Sequence, residues 1–202
     1  NKNPLSFKHS PCLIGAASVG LGMVTLYVDA DSVPLQIRSI ILRRVAKEDL
    51  AAIFVADRPL KDVKRAYEEH TAALRAAAKE GGEEDAERLR SIRSPIAMVV
   101  VSAGLDSADD WIVEHSEDGS VAITHDVPLA SRLAQKGLVV LDDRGGVYTR
   151  ENIGERLSMR NLMGELREMG IFSEQHKRMD NRQVKAFSDA FDGVLHTLLK
   201  QS

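Results

Sequence analysis

The 202-residue chain carries 30 acidic and 27 basic side chains, for a net charge of −3, with 44% hydrophobic and 28% charged residues. That balance describes a soluble globular protein and excludes a global basic field that would draw it to nucleic acid or acidic membranes, so any phosphate binding has to be local. The single cysteine, Cys12, excludes an intramolecular disulfide and fits a reducing, cytoplasmic compartment.

In chain order, the segment Asn1 to Gly22 holds Pro4, Pro11 and a small-residue run, Leu13-Ile14-Gly15-Ala16-Ala17. The run is too short to span a bilayer and lacks the leucine-rich core of a signal peptide. It reads as a leader or extension outside the fold, which leaves 23–202 as a single domain.

Val24 to Asp31 (Val-Thr-Leu-Tyr-Val-Asp-Ala-Asp) combines β-branched, aromatic and aliphatic residues into a short buried strand with two aspartates at its carboxyl end. Asp29 stands just past the apolar run, where a carboxylate can stay wet. Ser32 is placed to cap the following helix and Pro34 to sit in its first turn. Ile37, Ile40, Ile41 and Val45 then recur at helical spacing.

Leu50 to Ala56 is a second strand, ending at Asp57-Arg58-Pro59. From Asp62 to Arg93 the chain is dense in Glu, Lys, Arg and Ala, broken once at Gly81-Gly82, which predicts two helices. Their apolar residues are few, so the stretch reads as a helical insertion, a solvated hairpin standing off the domain at about 62–93.

Ile96 to Val101 is the most continuous apolar run and reads as a central parallel strand. It leads into Ser102 to Asp110 and a helix through Trp111, Ile112 and His115. Val121 to Thr124 is a short strand ending at His125-Asp126. A helix opened by Pro128-Leu129-Ala130 stops at Gly137, and Leu138 to Leu141 is a fifth strand ending in an Asp142-Asp143 turn that reads as solvated, though its place at a strand end keeps it in view. From Thr149 the pattern is helical to the end. Strands alternating with helices predict a three-layer α/β fold with a mostly parallel sheet of about five strands, followed by C-terminal helices.

Right-handed crossovers bring the carboxyl ends of parallel strands to one edge. Three of these strands end in aspartate: Asp29 with Asp31, Asp106 to Asp110, and Asp126. Carboxylates gathered together repel unless a cation neutralises them, and an oxygen-only set suits magnesium or manganese. Such an ion can activate water and polarise a phosphoryl oxygen. Arg144, in a glycine-rich turn, and Arg156 and Arg160, one helical turn apart, are candidates for substrate phosphate, with ion pairs to Glu151 and Glu155 as the structural alternative. His125, beside Asp126, can hold a leaving group or a water, or simply be solvated.

Several blocks carry a resemblance: Val28-Asp29-Ala30-Asp31 before Pro34; Ala103-Gly104-Leu105-Asp106 with Ala108-Asp109; Ile123-Thr124 with Asp126 and Pro128-Leu129-Ala130; Arg144-Gly145; Tyr148-Thr149; and Glu155 to Met163. A weaker match lies around Arg182 and Phe187. In these the chain resembles the bacterial YaiI/YqxD family (DUF188, UPF0178), whose members look like PIN-type nuclease domains. The resemblance covers nearly everything except the leader and Asp62 to Ser91, and it implies a PIN-like fold and a metal-dependent ribonuclease. Carried over to this sequence, it makes Asp29 and Asp126 principal metal ligands, Asp106 or Asp109 the third, and Asp31 an accessory. PIN-type sites usually add an acid on an early helix, and the helix from Val33 to Ala46 has none before Glu48.

The expectation is a magnesium- or manganese-dependent phosphodiesterase acting on single-stranded RNA. Asp29, Asp109 and Asp126 form its catalytic centre, and Arg144, Arg156 and Arg160 face phosphate. The alternative is a non-catalytic nucleic-acid- or protein-binding module on the same scaffold, which the net acidity and the missing helix acid favour.

Overall fold

In the computed structural model the described residues are 12–14, 24–102, 107–170 and 179–200. Asp106, with the rest of 103–106 in the loop after the central strand, lies outside them. All five expected strands form: β2 (Thr25–Asp29), β3 (Ala51–Ala56), β4 (Ile96–Val100), β5 (Val121–Ile123) and β6 (Val139–Leu141). Two short strands were not expected. β1 (Cys12–Ile14), from the segment set aside as a leader, pairs antiparallel with β4, and β7 (Val147–Tyr148) pairs antiparallel with β6. The sheet therefore has seven strands, in the order β1-β4-β3-β2-β5-β6-β7, with the middle five parallel.

This order has one switch point. The chain winds outward from β2 through β3 to β4, crosses back to place β5 on the other side of β2, and continues to β6. Between β2 and β5 the connections diverge, leaving a crevice beyond the strand carboxyl ends, where open α/β sheets hold ligands.

Both faces of the sheet are covered, which is why its strands read as continuous apolar runs. Alternate residues serve opposite layers. Leu26, Val28, Ala52, Phe54, Ile96 and Met98 pack with α1 (Leu35–Glu48), the start of α2 (Lys61–Glu80) and α7 (Asn181–Leu199), whose stacked Phe187 and Phe191 are fully buried. Tyr27, Val55, Val99, Ala122 and Val140 pack with α4 (Ser107–His115), α5 (Val127–Gln135) and Ile153 at the start of α6 (Ile153–Glu168).

The charged helical stretch differs from its expectation. It breaks at Gly81-Gly82 as the glycine pair predicts, giving α2 and the short α3 (Ala86–Ser91). It is not a hairpin standing off the domain. Val63, His70 and Thr71 are buried, and Ala66 and Tyr67 pack against the core. The His70 ring bonds the Ser94 hydroxyl at 3.0 Å, and Thr71 Oγ1 accepts from the Ser94 amide, also at 3.0 Å. The physical reason is topological. β3 and β4 are parallel neighbours, with Ala52 opposite Ile96, so a crossover must return the chain to the same end of the sheet, and α2 is that crossover.

Helix termini explain two further details. Ser32 does not cap α1, which begins after Pro34 without a side-chain cap. Asp126 instead caps α5, accepting from the Leu129 amide at 2.7 Å, with Pro128 in the first turn. No helix among the described residues is long and apolar enough to cross a membrane.

Candidate functional site

β2 delivers Asp29 to the crevice and β5 delivers Thr124, His125 and Asp126. Asp29 is 5% exposed rather than wet. Its Oδ2 accepts from the Thr124 hydroxyl at 2.7 Å, and the same Thr124 oxygen accepts from the Asp126 amide at 3.0 Å. Ser32 completes the bridge between the two strand ends: its Oγ accepts from the His125 amide at 3.1 Å and donates to the Asp29 carbonyl at 3.2 Å. Burial pushes the Asp29 carboxyl above the ordinary carboxylate range and the Asp31 charge adds to this, while hydrogen bonds from Ser32 and Thr124 oppose it.

A cavity of about 290 Å³ opens over these residues, and five carboxylates line it: Asp29, Asp31, Asp57, Asp109 and Asp126. Four of the five expected metal-ligand positions thus converge, and Asp106 lies outside the described residues. Asp110 is directed away, paired with Arg132 at 2.7 Å. The carboxylates are already engaged locally. Asp31 Oδ2 accepts from the Asp57 amide at 2.7 Å, Arg58 pairs with Asp57 at 3.0 Å and Asp31 at 3.5 Å, and Asp126 spends one oxygen on the α5 cap. Among the described residues no three Asp, Glu, His or Cys side chains form a ready-made ligand set.

A second cavity, of about 380 Å³, adjoins the first and shares Ser32 and Asp126 with it. One wall is α6, which presents Arg156, Met159, Arg160, Met163 and Arg167 along a single stripe; His125 stands on the other side. Neither Glu151 nor Glu155 pairs with these arginines among the described residues. Glu151 instead accepts from the Thr149 hydroxyl at 2.5 Å, which holds its carboxyl below the usual range. The Arg156 guanidinium lies 6.0 Å from the centre of the Tyr148 ring, and its Nε is buried without a hydrogen-bond partner. Arg144 lines neither cavity; it is exposed in the turn between β6 and β7.

That turn is not solvated as expected. Asp142 is 9% exposed and accepts from the Arg144 and Gly146 amides and from the Tyr148 hydroxyl at 2.7 Å. Asp143 is buried and bonds His125 Nδ1 at 2.6 Å. Burial, then the hydrogen bond and charge of Asp142, push the Tyr148 phenol up to about 12, against the opposing charge and hydrogen bond of Arg156.

Sequence reasoning missed Asp57, Thr124, Ser32 and Arg167 as parts of this site, and kept Asp143 in view only for its place at a strand end. Asp57 had the same signal as the others, an aspartate at a strand's carboxyl end. Arg167 continues the Arg156-Arg160 stripe by two helical turns. Ser32, Thr124 and Asp143 meet their partners only through the β2–β5 and β5–β6 pairings, and no local pattern marks those contacts.

A family profile described as "Uncharacterized BCR, YaiI/YqxD family" (DUF188) matches residues 85–197. Similar proteins include the "UPF0178 protein" of Myxococcus xanthus, 36% identical over 175 residues, covering 87% of this chain and 96% of that protein. Another is "UPF0178 protein PSEEN5341" of Pseudomonas entomophila, 33% identical over 175 residues, covering 87% and 98%. The "UPF0178 protein" of Psychrobacter arcticus is 36% identical over 175 residues, covering 84% and 98%.

Proposed function

This chain belongs to the uncharacterised YaiI/YqxD family, and we propose that it is a magnesium- or manganese-dependent phosphodiesterase acting on RNA, of the kind that its resemblance to PIN-type domains implies. The observation that carries the reading is that a carboxylate-lined cavity and an arginine-lined cleft meet at Ser32 and Asp126. Hydrolysis of a phosphodiester asks for this pairing, with oxygen ligands for a divalent cation beside guanidinium donors for phosphate.

The donor set fits such a cation. It is oxygen-only, and magnesium is ordinarily held through one or two carboxylates while keeping several waters and taking substrate phosphate oxygens. Asp29 and Asp126 would hold it, with Asp31 and Asp109 beside them, and Asp57 adds a carboxylate that the early helix does not supply. Bound there, the ion would supply a water of lowered pKa and polarise the phosphoryl oxygen. The chain's own residues do the rest. Thr124 fixes the Asp29 carboxylate by donating to Oδ2. Ser32 ties the β2 turn to the β5 turn. Arg156 and Arg160 hold and orient phosphate from α6. The lack of a ready-made three-ligand set among the described residues favours one rival, a non-catalytic nucleic-acid-binding module.

Asp29→Asn separates the two. An ionised carboxylate whose folded-state pKa is raised destabilises the fold at neutral pH, because the folded state holds the proton more tightly than the unfolded one. Stability associated with Asp29 is therefore fully present below its unfolded pKa and falls as pH rises through the raised value. The amide removes that cost, so the metal-free variant should melt higher than wild type at pH 7. Millimolar manganese should raise the melting temperature of wild type and do little for the variant, by mass action on the folded state. Manganese-dependent hydrolysis of single-stranded RNA should disappear in the variant. A wild-type protein that neither shifts with manganese nor cleaves RNA would leave the binding module.

A further inference from the structure

The cleft on α6 gathers guanidinium groups into one cavity. Arg156, Arg160 and Arg167 line it together, and Asp126, with one oxygen committed to the α5 cap, is the carboxylate among its lining residues. Arg160 makes no hydrogen bond or ion pair among the described residues, and Arg156 Nε is a buried donor with none of its own. The exposed Arg160 guanidinium, with no such partner, is free to donate to an oxyanion in the cleft. The cavity of about 380 Å³ is at the small-ligand end of binding sites. Arg156 and Arg160, one helical turn apart on the same wall, can converge on one phosphate group. An internal diester carries one negative charge, whereas a terminal phosphomonoester carries about −1.5 to −2 near neutral pH and offers three acceptor oxygens. Met159 and Met163, on the same stripe, give an apolar and polarisable surface for the attached sugar and base.

We propose that this cleft is a receptor for the terminal monophosphate of a nucleic-acid strand, which would set the strand's end beside the carboxylate-lined cavity. The inference extends the phosphodiesterase reading by naming the form of substrate, a strand bearing an end phosphate. It does not depend on hydrolysis to be tested.

Fluorescence anisotropy in EDTA, on the full chain, would compare one ten-nucleotide RNA in three forms: 5′-phosphorylated, 3′-phosphorylated and hydroxyl at both ends. The expected result is that one phosphorylated form binds at least ~10-fold more tightly than the hydroxyl form, the scale of an added set of charge-assisted hydrogen bonds. The identity of that form assigns the polarity. Arg160→Gln, at an exposed position that cannot disturb the core, should reduce the preference, and Arg156→Gln with Arg160→Gln should abolish it. Equal binding of all three forms overturns the proposal, as does a preference that survives the double variant. Preference in EDTA without manganese-dependent cleavage would sustain the receptor and sink the phosphodiesterase reading. Cleavage of all three forms at one rate, with equal binding, would do the reverse.

Discussion

Helices α2 and α6 make an instructive pair. Both are rich in charge, yet α2 is built into the core along one face and α6 only at its first turn, through Ile153. In α2, Val63, Ala66, Tyr67, His70 and Thr71 fall at helical spacing on one face, and that narrow stripe is enough to seat the helix on the sheet. In α6 the only buried residue is Ile153, while Met159 and Leu162 stay exposed and the arginines face a cleft. What separates the two helices is what each stripe meets. The stripe of α2 meets the sheet face at β4 and the neighbouring α1, whereas the arginines of α6 meet the open end of the β2–β5 crevice.

The largest test of this contrast removes α2. Replacing 62–93 by a short Gly/Ser loop should abolish cooperative thermal unfolding in calorimetry, because a parallel β3–β4 pair cannot be joined by a short loop and Val63, His70 and Thr71 leave the core with the helix. A variant that still melts cooperatively would return α2 to the class of surface insertions. A smaller effect is expected at α6. Converting Arg156, Arg160 and Arg167 to alanine should leave the fold intact by circular dichroism but weaken binding of single-stranded RNA. The dependence of log affinity on log salt should flatten by about 0.7 for each lost phosphate contact. An unchanged slope would make the α6 stripe structural, like that of α2.

The smallest effect concerns Tyr148, which joins α6 to the sheet through Arg156 and Asp142. Its phenol is pushed from 10.0 up to about 12 in the fold. Above pH 10 the unfolded chain releases this proton while the folded protein retains it, so stability should fall as pH rises from 10 toward 12. Tyr148→Phe should lose about 1 kcal/mol at neutral pH for the hydrogen bond to Asp142. Its stability should then fall less steeply above pH 10, the remaining slope including Tyr27, whose phenol burial also raises. Chemical denaturation at pH 7, 10 and 11 reads both terms. Parallel curves for the two proteins would show that the Asp142 contact does not hold the proton.

Much of this was legible in advance because it is local. The apolar runs specify the five parallel strands, the glycine pair at Gly81-Gly82 ends α2, and Asp126 before Pro128 marks a helix start. The convergence of Asp29, Asp31, Asp109 and Asp126 followed from a rule about parallel strand ends that needs no side-chain coordinates. The strand order was not legible, because pairings of this kind depend on residues about a hundred positions apart. Val28 lies opposite Ile123, and from that register alone follow the Thr124–Asp29 hydrogen bond and the Ser32 bridge to His125.

By itself, then, the sequence determined the alternation of strands and helices, the two-sided burial of the sheet and the acidic character of one edge, since each depends on spacing within a few residues. Only the tertiary structure decided that α2 is a crossover and not an ornament, that Asp142 and Asp143 are buried, and that the arginines of α6 share a corner with the aspartates. Those outcomes depend on which surfaces meet across the chain. A short apolar stripe or a charged turn is stable buried or exposed according to the partner that the topology brings to it.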